Sequence, residues 1–137
     1  MLGWICEIVW TGTGALLRGN WQMPGFTYLW MFPIYGFAVF LEPIHDRIRS
    51  WPLPVRGLIW VAVIFTIEYL AGWTLAELLG RCPWDYTYST PYHFNGYIRW
   101  DYALVWFFLG LGFEKVRGLI DNIAGYILHW SRKQDII

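Results

Sequence analysis

Residues 57–79 read GLIWVAVIFTIEYLAGWTLAELL, an apolar run in which only Glu68 and Glu77 carry charge. A bilayer core of ~30 Å takes about 20 mostly apolar residues as a helix, so this stretch predicts a transmembrane span. A soluble amphipathic helix would need a charged face at a 3.6-residue period, and the run has none. Working outward from it, three further stretches are long and apolar enough to be predicted as spans. These are residues 1–17, interrupted by Glu7, residues 26–44, closed by Glu42, and residues 94–113, with Arg99 and Asp101 in the first turns. The first lacks the basic start and the small-x-small cleavage site of a signal peptide, so it is kept as a span. The expected fold is therefore all-α. It is a single membrane domain over 1–137 that bundles four transmembrane helices.

Composition agrees. The chain has 137 residues, room for one domain. Hydrophobic residues make up 57% and charged residues 15%; soluble domains carry roughly 25% charged residues. Disorder and a disulfide scaffold are excluded. Ten basic residues balance ten acidic ones, so no net field favours nucleic acid. The partners expected are the lipid bilayer and either further copies of the chain or a larger membrane complex, because one chain this small rarely builds a transport site alone.

Orientation follows from Lys and Arg in the short loops. With four spans, Arg47, Arg49, Arg56, Lys115, Arg117, Arg132 and Lys133 share one side, against Arg18, Arg81 and Arg99 on the other. Seven against three places both termini in the cytoplasm of a multi-pass cell-membrane protein. After the fourth span, Val116, Leu119, Ile120, Ile123 and Ile127 repeat at helical spacing. This predicts an amphipathic helix over about 114–130, lying in the cytoplasmic interface or against a partner protein, with Trp130, Arg132 and Lys133 at headgroup level. The loop GRCPWDYTYSTPYHFN, residues 80–95, holds five aromatics and two prolines. It predicts a packed outer cap.

Polar groups inside apolar spans mark where to look for function. Glu68 lies eleven residues after Gly57, ~16 Å along a helix. An ionised carboxylate there costs about 2.5–3.5 kcal/mol on insertion scales, so it is expected to face the bundle, protonated or paired. Gly72 and Ala76 lie close to its face and are expected to let a neighbouring helix approach. Glu7 shares a face with Gly3, Thr11 and Gly14. Asp101 enters the fourth span two residues after Arg99; on a helix such residues point apart, so the two are not expected to pair. Glu7, Glu68 and Asp101 form the candidate ion, ligand or packing network. Pro33 is expected to kink the second span. Cys6 and Cys82 fall on opposite sides, which excludes a disulfide. His45, His93 and His129 lack metal-ligand spacing, so no metal and no cofactor are expected. There is no P-loop, no Gly-x-Ser-x-Gly and no His-Glu-x-x-His, and the chain is not expected to be an enzyme.

The run Cys82-Pro83-Trp84-Asp85-Tyr86, then Asn95-Gly96-Tyr97-Ile98 and Trp106, resembles the CmpB-like family of "putative ABC-transporter type IV" membrane proteins. Cys6-Glu7, Asn20-Trp21, Pro24-Gly25, Tyr35-Gly36, Pro54-Val55-Arg56-Gly57-Leu58-Ile59, Glu68-Tyr69 and Asp101-Tyr102 also fit, so the likeness runs from about Gly3 to Lys115. The resemblance implies a small polytopic membrane protein of about four helices; any ATP hydrolysis would need a separate protein. The expected function is a permease-like transport component, with Trp84, Asp85, Tyr86 and Asn95 shaping its outer mouth. The alternative is a non-catalytic accessory or scaffolding subunit of a larger membrane complex.

Overall fold

A computed structural model describes residues 2–134, with side-chain surroundings for residues 3–127. The chain is mostly helical: α1 (Leu2–Leu17), α2 (Met31–Gly36), a 3-10 turn (Phe37–Leu41), α3 (Glu42–Ile48), α4 (Leu53–Leu79), a hairpin of β1 (His93–Phe94) and β2 (Ile98–Arg99), a second 3-10 turn (Trp100–Tyr102) and α5 (Ala103–Gln134). The side chains of Trp130, Arg132 and Lys133 lie outside the described residues.

The quoted apolar run forms α4. Pro54 sits in its first turn, where a missing N–H costs nothing, and Gly80 ends it in the left-handed conformation at φ +76°. Its 27 residues extend ~40 Å. Among the described residues, α4 is the one helix long and apolar enough to cross a membrane.

The other three expected spans find no support as membrane crossings by length and composition among the described residues. α1 has 16 residues, ~24 Å long and short of a ~30 Å core. The stretch expected as the second span begins without helix, because Gly25 and Phe26 run back along α1. A Cβ on Gly25 would lie 2.5 Å from the Ile8 carbonyl oxygen, and the Phe26 N–H donates to the Thr11 hydroxyl at 2.9 Å. Pro33 falls in the first turn of α2 and kinks nothing. The irregularity comes later, where Pro43 has no N–H for the Val39 carbonyl, and the Glu42 N–H serves that carbonyl instead.

The start of the expected fourth span is the hairpin, pairing His93 with Arg99 and Phe94 with Ile98. Asn95 and Gly96 turn it at φ +51° and +73°, the Asn-Gly hairpin chemistry. α5 then runs unbroken through the segment expected as a separate interfacial helix.

α5 returns along α4, with Trp60 seated on Gly110 and Phe107 on Gly57; a Cβ on either glycine would overlap the aromatic ring. These glycines permit the close helix approach expected of Gly72 and Ala76. Gly72 instead receives Tyr97 of the cap, whose Cβ would lie 3.0 Å from a Cβ at that position. Beneath the 80–95 loop, Met31, Leu75, Cys82 and Trp84 form a buried apolar cluster. The chain exposes 10,214 Å², against roughly 7,500 Å² expected for a soluble monomer of this mass. Leu58, Leu70, Trp73, Leu78, Leu104 and Phe108 contribute to that exposed apolar surface.

Candidate functional site

The cap is built first, because it positions the site. Asp85 Oδ1 accepts the Thr87 N–H at 2.9 Å and the Thr87 hydroxyl at 2.6 Å. Those donors hold the Asp85 carboxyl below the usual carboxylate range. The Tyr86 N–H donates to the Gly96 carbonyl at 2.8 Å, and the buried Trp84 indole donates to the Tyr97 carbonyl at 3.2 Å. His93 Nδ1 accepts the Gly96 N–H at 3.1 Å, and Asn95 Nδ2 donates to the Tyr69 hydroxyl of α4 at 3.2 Å. Of the four residues expected at an outer mouth, Trp84, Asp85 and Asn95 fasten loop, hairpin and α4 together. Tyr86 alone reaches inward.

The Tyr86 hydroxyl lies 3.5 Å from Glu68 Oε1, in position to donate. Burial, then the neighbouring Glu68 carboxyl, push the Tyr86 phenol up, so it stays a protonated donor. The other Glu68 oxygen, Oε2, is buried without a hydrogen-bond partner. The Trp106 indole of α5 stands beside this carboxyl, with its own N–H also unpartnered. Glu7 of α1 accepts the Tyr35 hydroxyl at 3.0 Å. Both Glu7 and Glu68 act electrostatically on Tyr35 and on Tyr86, so the two carboxyls belong to one polar cluster among α1, α2, α4 and the cap.

Asp101 is placed differently. Arg99 grips it through Nη2 at 2.5 Å and Nε at 3.1 Å, which keeps Asp101 low. This corrects the expectation that the two would not pair. Arg99 ends β2 and Asp101 lies in the 3-10 turn that follows, so the continuous-helix geometry behind that expectation does not hold between them. The same guanidinium stacks 4.2 Å from the Tyr102 ring centroid and 5.6 Å from that of Tyr86. Asp101 is thus neutralised at the rim, joined to the Glu68 cluster only through Arg99 and Tyr86.

A second polar cluster lies at the other end of α4. Glu114 is the one buried charged residue among those described. It is paired with Arg56, accepts the Trp60 indole N–H at 2.6 Å, and stands 3.7 Å from His45 Nδ1. Nearby, Arg117 bridges Glu42 of α3 and, at 3.6 Å, Asp121 of its own helix. Sequence reasoning missed this cluster, having counted Arg56 as a loop charge. The available signal was the four-residue spacing of Arg56 and Trp60 on one helix and of Gly110 and Glu114 on the next, which sets each pair on one face. Among the described residues, no group of three or more His, Cys, Asp or Glu side chains is placed to hold a metal ion. Cys6 is exposed and Cys82 buried, both free thiols.

The arrangement can hold a proton or a small cation at Glu68: one carboxylate oxygen has the Tyr86 phenol at 3.5 Å, the other is buried without a made hydrogen bond beside the Trp106 indole, and the covering groups are aromatic. No solved structure gives a significant match to the chain. Residues 1–133 match the family described as "Putative ABC-transporter type IV", and the chain belongs to that family.

Proposed function

We propose that the chain is a membrane-embedded, non-enzymatic, permease-like component of a transport system, in which Glu68 binds the coupling proton or cation and Glu7 serves as its second carboxyl. The observation that carries this reading is the buried, unpartnered Oε2 of Glu68, part-way along the one helix among the described residues that is long and apolar enough to cross a bilayer. A buried carboxylate oxygen with no donor is costly unless a proton or cation occupies it. The surface excess of the chain supports immersion in lipid. In this reading α4 crosses the membrane, α1, the α2–α3 run and the first half of α5 pack beside it in a multi-pass bundle, and the charge count puts both termini in the cytoplasm. ATP hydrolysis, where used, belongs to another protein.

The test is flux. Purified chain in proteoliposomes with an internal pH dye, driven by a potassium diffusion potential, is expected to admit protons, and Glu68→Gln is expected to abolish that flux while the protein stays folded. Equal flux in variant and parent rejects the role of Glu68.

A second reading, an accessory or scaffolding subunit, is favoured by α5 beyond Glu114. There Val116, Leu119, Ile120, Ile123 and Ile127 form an exposed apolar stripe. It predicts that purification in mild detergent retains a partner at fixed stoichiometry. A monodisperse homo-oligomer counts against it.

A further inference from the structure

On the outer side of α4, away from the carboxyl cluster, an open groove of about 320 Å³ runs between the helix and the hairpin. Its floor is Phe65 and Ile98, both buried. Its walls are Thr66, Tyr69 and Leu70 on α4, with Phe94 and Trp100 opposite. The rings brace one another edge-on or tilted: Phe65 against Trp100 at 5.5 Å, Tyr69 against Phe94 at 5.8 Å and Phe94 against Trp100 at 6.1 Å. No charged side chain lines the groove. Its two hydroxyls are engaged, Thr66 with the Ala62 carbonyl at 2.7 Å and Tyr69 with Asn95 at 3.2 Å.

We propose that this groove is a binding site for one acyl chain of a membrane lipid. The groove offers dispersion and apolar contact and no free charge, so it suits a hydrocarbon and rejects an ion or a polar metabolite. The volume is at the small end for a ligand site, which fits a single chain. Its position settles the source. It lies along the candidate membrane-crossing helix, continuous with the outward-facing Leu70, and its upper rim is the Trp100, Tyr69 and Asn95 level, where aromatic and amide groups meet lipid headgroups. An acyl chain entering from the bilayer fills the groove while its headgroup stays at that rim. The same lipid braces the hairpin on α4, and through Tyr86 it steadies the cover over Glu68.

The proposal rests on the membrane reading, and one experiment separates the two. The full chain is placed in nanodiscs of phosphatidylcholine carrying a small fraction of a diazirine-acyl phosphatidylcholine, irradiated and mapped by mass spectrometry. Adducts are expected to concentrate on residues 65–70 and 94–100, about tenfold over the equally outward Leu58 and Leu78, the preference that a few extra buried methylenes give. Thr66→Trp, which fills the groove from an exposed position, is expected to remove that excess. Should it fail to fold, Leu70→Trp, one turn further along the same α4 wall, is read in the same way. Uniform adducts along α4, or an excess that survives both fillings, overturn the groove and leave the membrane reading intact. A chain that stays out of nanodiscs and is released from membranes by alkaline carbonate overturns both.

Discussion

The Trp60 indole N–H donates to Glu114 Oε1 at 2.6 Å, across 54 residues of sequence. With Arg56 on the other oxygen, the carboxylate's hydrogen-bond donors among the described residues both come from α4, so the first half of α5 is tied to the start of α4 by one buried charge. Removing one partner of a buried pair leaves the other uncompensated, typically at about 3–5 kcal/mol. Glu114→Ala should leave Arg56 and Trp60 without their acceptor and lower stability by about 3 kcal/mol, since Arg56 is partly exposed. Arg56→Met combined with Glu114→Leu should recover most of the loss, because the pair is removed together. Thermal unfolding of the three proteins in one detergent checks both statements; equal stability of the single and double variants would contradict them.

Gly96 is enclosed by the loop it faces. A Cβ there would lie 2.5 Å from the Thr87 hydroxyl and closer still to Asp85 Oδ1, and its φ of +73° disfavours any L side chain. Gly96→Ala should therefore loosen the cap by about 2–4 kcal/mol, the sum of left-handed strain and overpacking. The readout is Cys82, 5% exposed beneath that cap. Its labelling by a neutral maleimide should be slow in the parent chain and markedly faster in the variant.

What the sequence discloses depends on how local the cause is. α4 is legible because 23 consecutive residues belong to one chemical regime and its ends carry Pro54 and Gly80. The stretches expected as second and fourth spans are not continuous helices, because counting apolar residues overrides punctuation. Pro43 dictates the 3-10 turn before it, and Asn95-Gly96 is a hairpin signal inside an apolar window. The Arg99–Asp101 pair escapes helical geometry because the chain passes there from strand to 3-10 turn. At the site, Glu68 is legible as a misplaced charge, but the hydroxyl that covers it comes from Tyr86, eighteen residues on. Glu114 becomes special only when α5 lies on α4, a tertiary fact with no local mark.

Asp85 gives the cap a pH dependence. Its native pKa is depressed by the Thr87 hydroxyl and N–H; the unfolded value is about 3.9. A depressed acid stabilises the fold fully above the unfolded pKa and loses that contribution as pH falls through the native one. The parent chain should melt higher than Asp85→Asn at neutral pH, with a gap that holds down to about pH 5 and closes below about pH 4. Melting both proteins across that range checks the sign. A gap that widens in acid would mean that Thr87 does not stabilise the charged form.

The crossing of the membrane by α4 can be tested without knowing the substrate. Cys82 is unsuitable as a topology reporter because it is buried, whereas Tyr88 in the cap is 96% exposed, and Ser50, just before α4, is exposed as well. In a chain with Cys6 and Cys82 replaced by Ser, Tyr88→Cys and Ser50→Cys stand beyond opposite ends of the ~40 Å helix. An impermeant maleimide applied to intact cells should modify the Tyr88→Cys chain and spare the Ser50→Cys chain, with both reacting once the membrane is opened. The opposite pattern would keep the crossing and reverse the orientation drawn from the Lys and Arg count. Labelling of both in intact cells would remove the crossing itself, and with it the low-dielectric surroundings on which the role proposed for Glu68 depends.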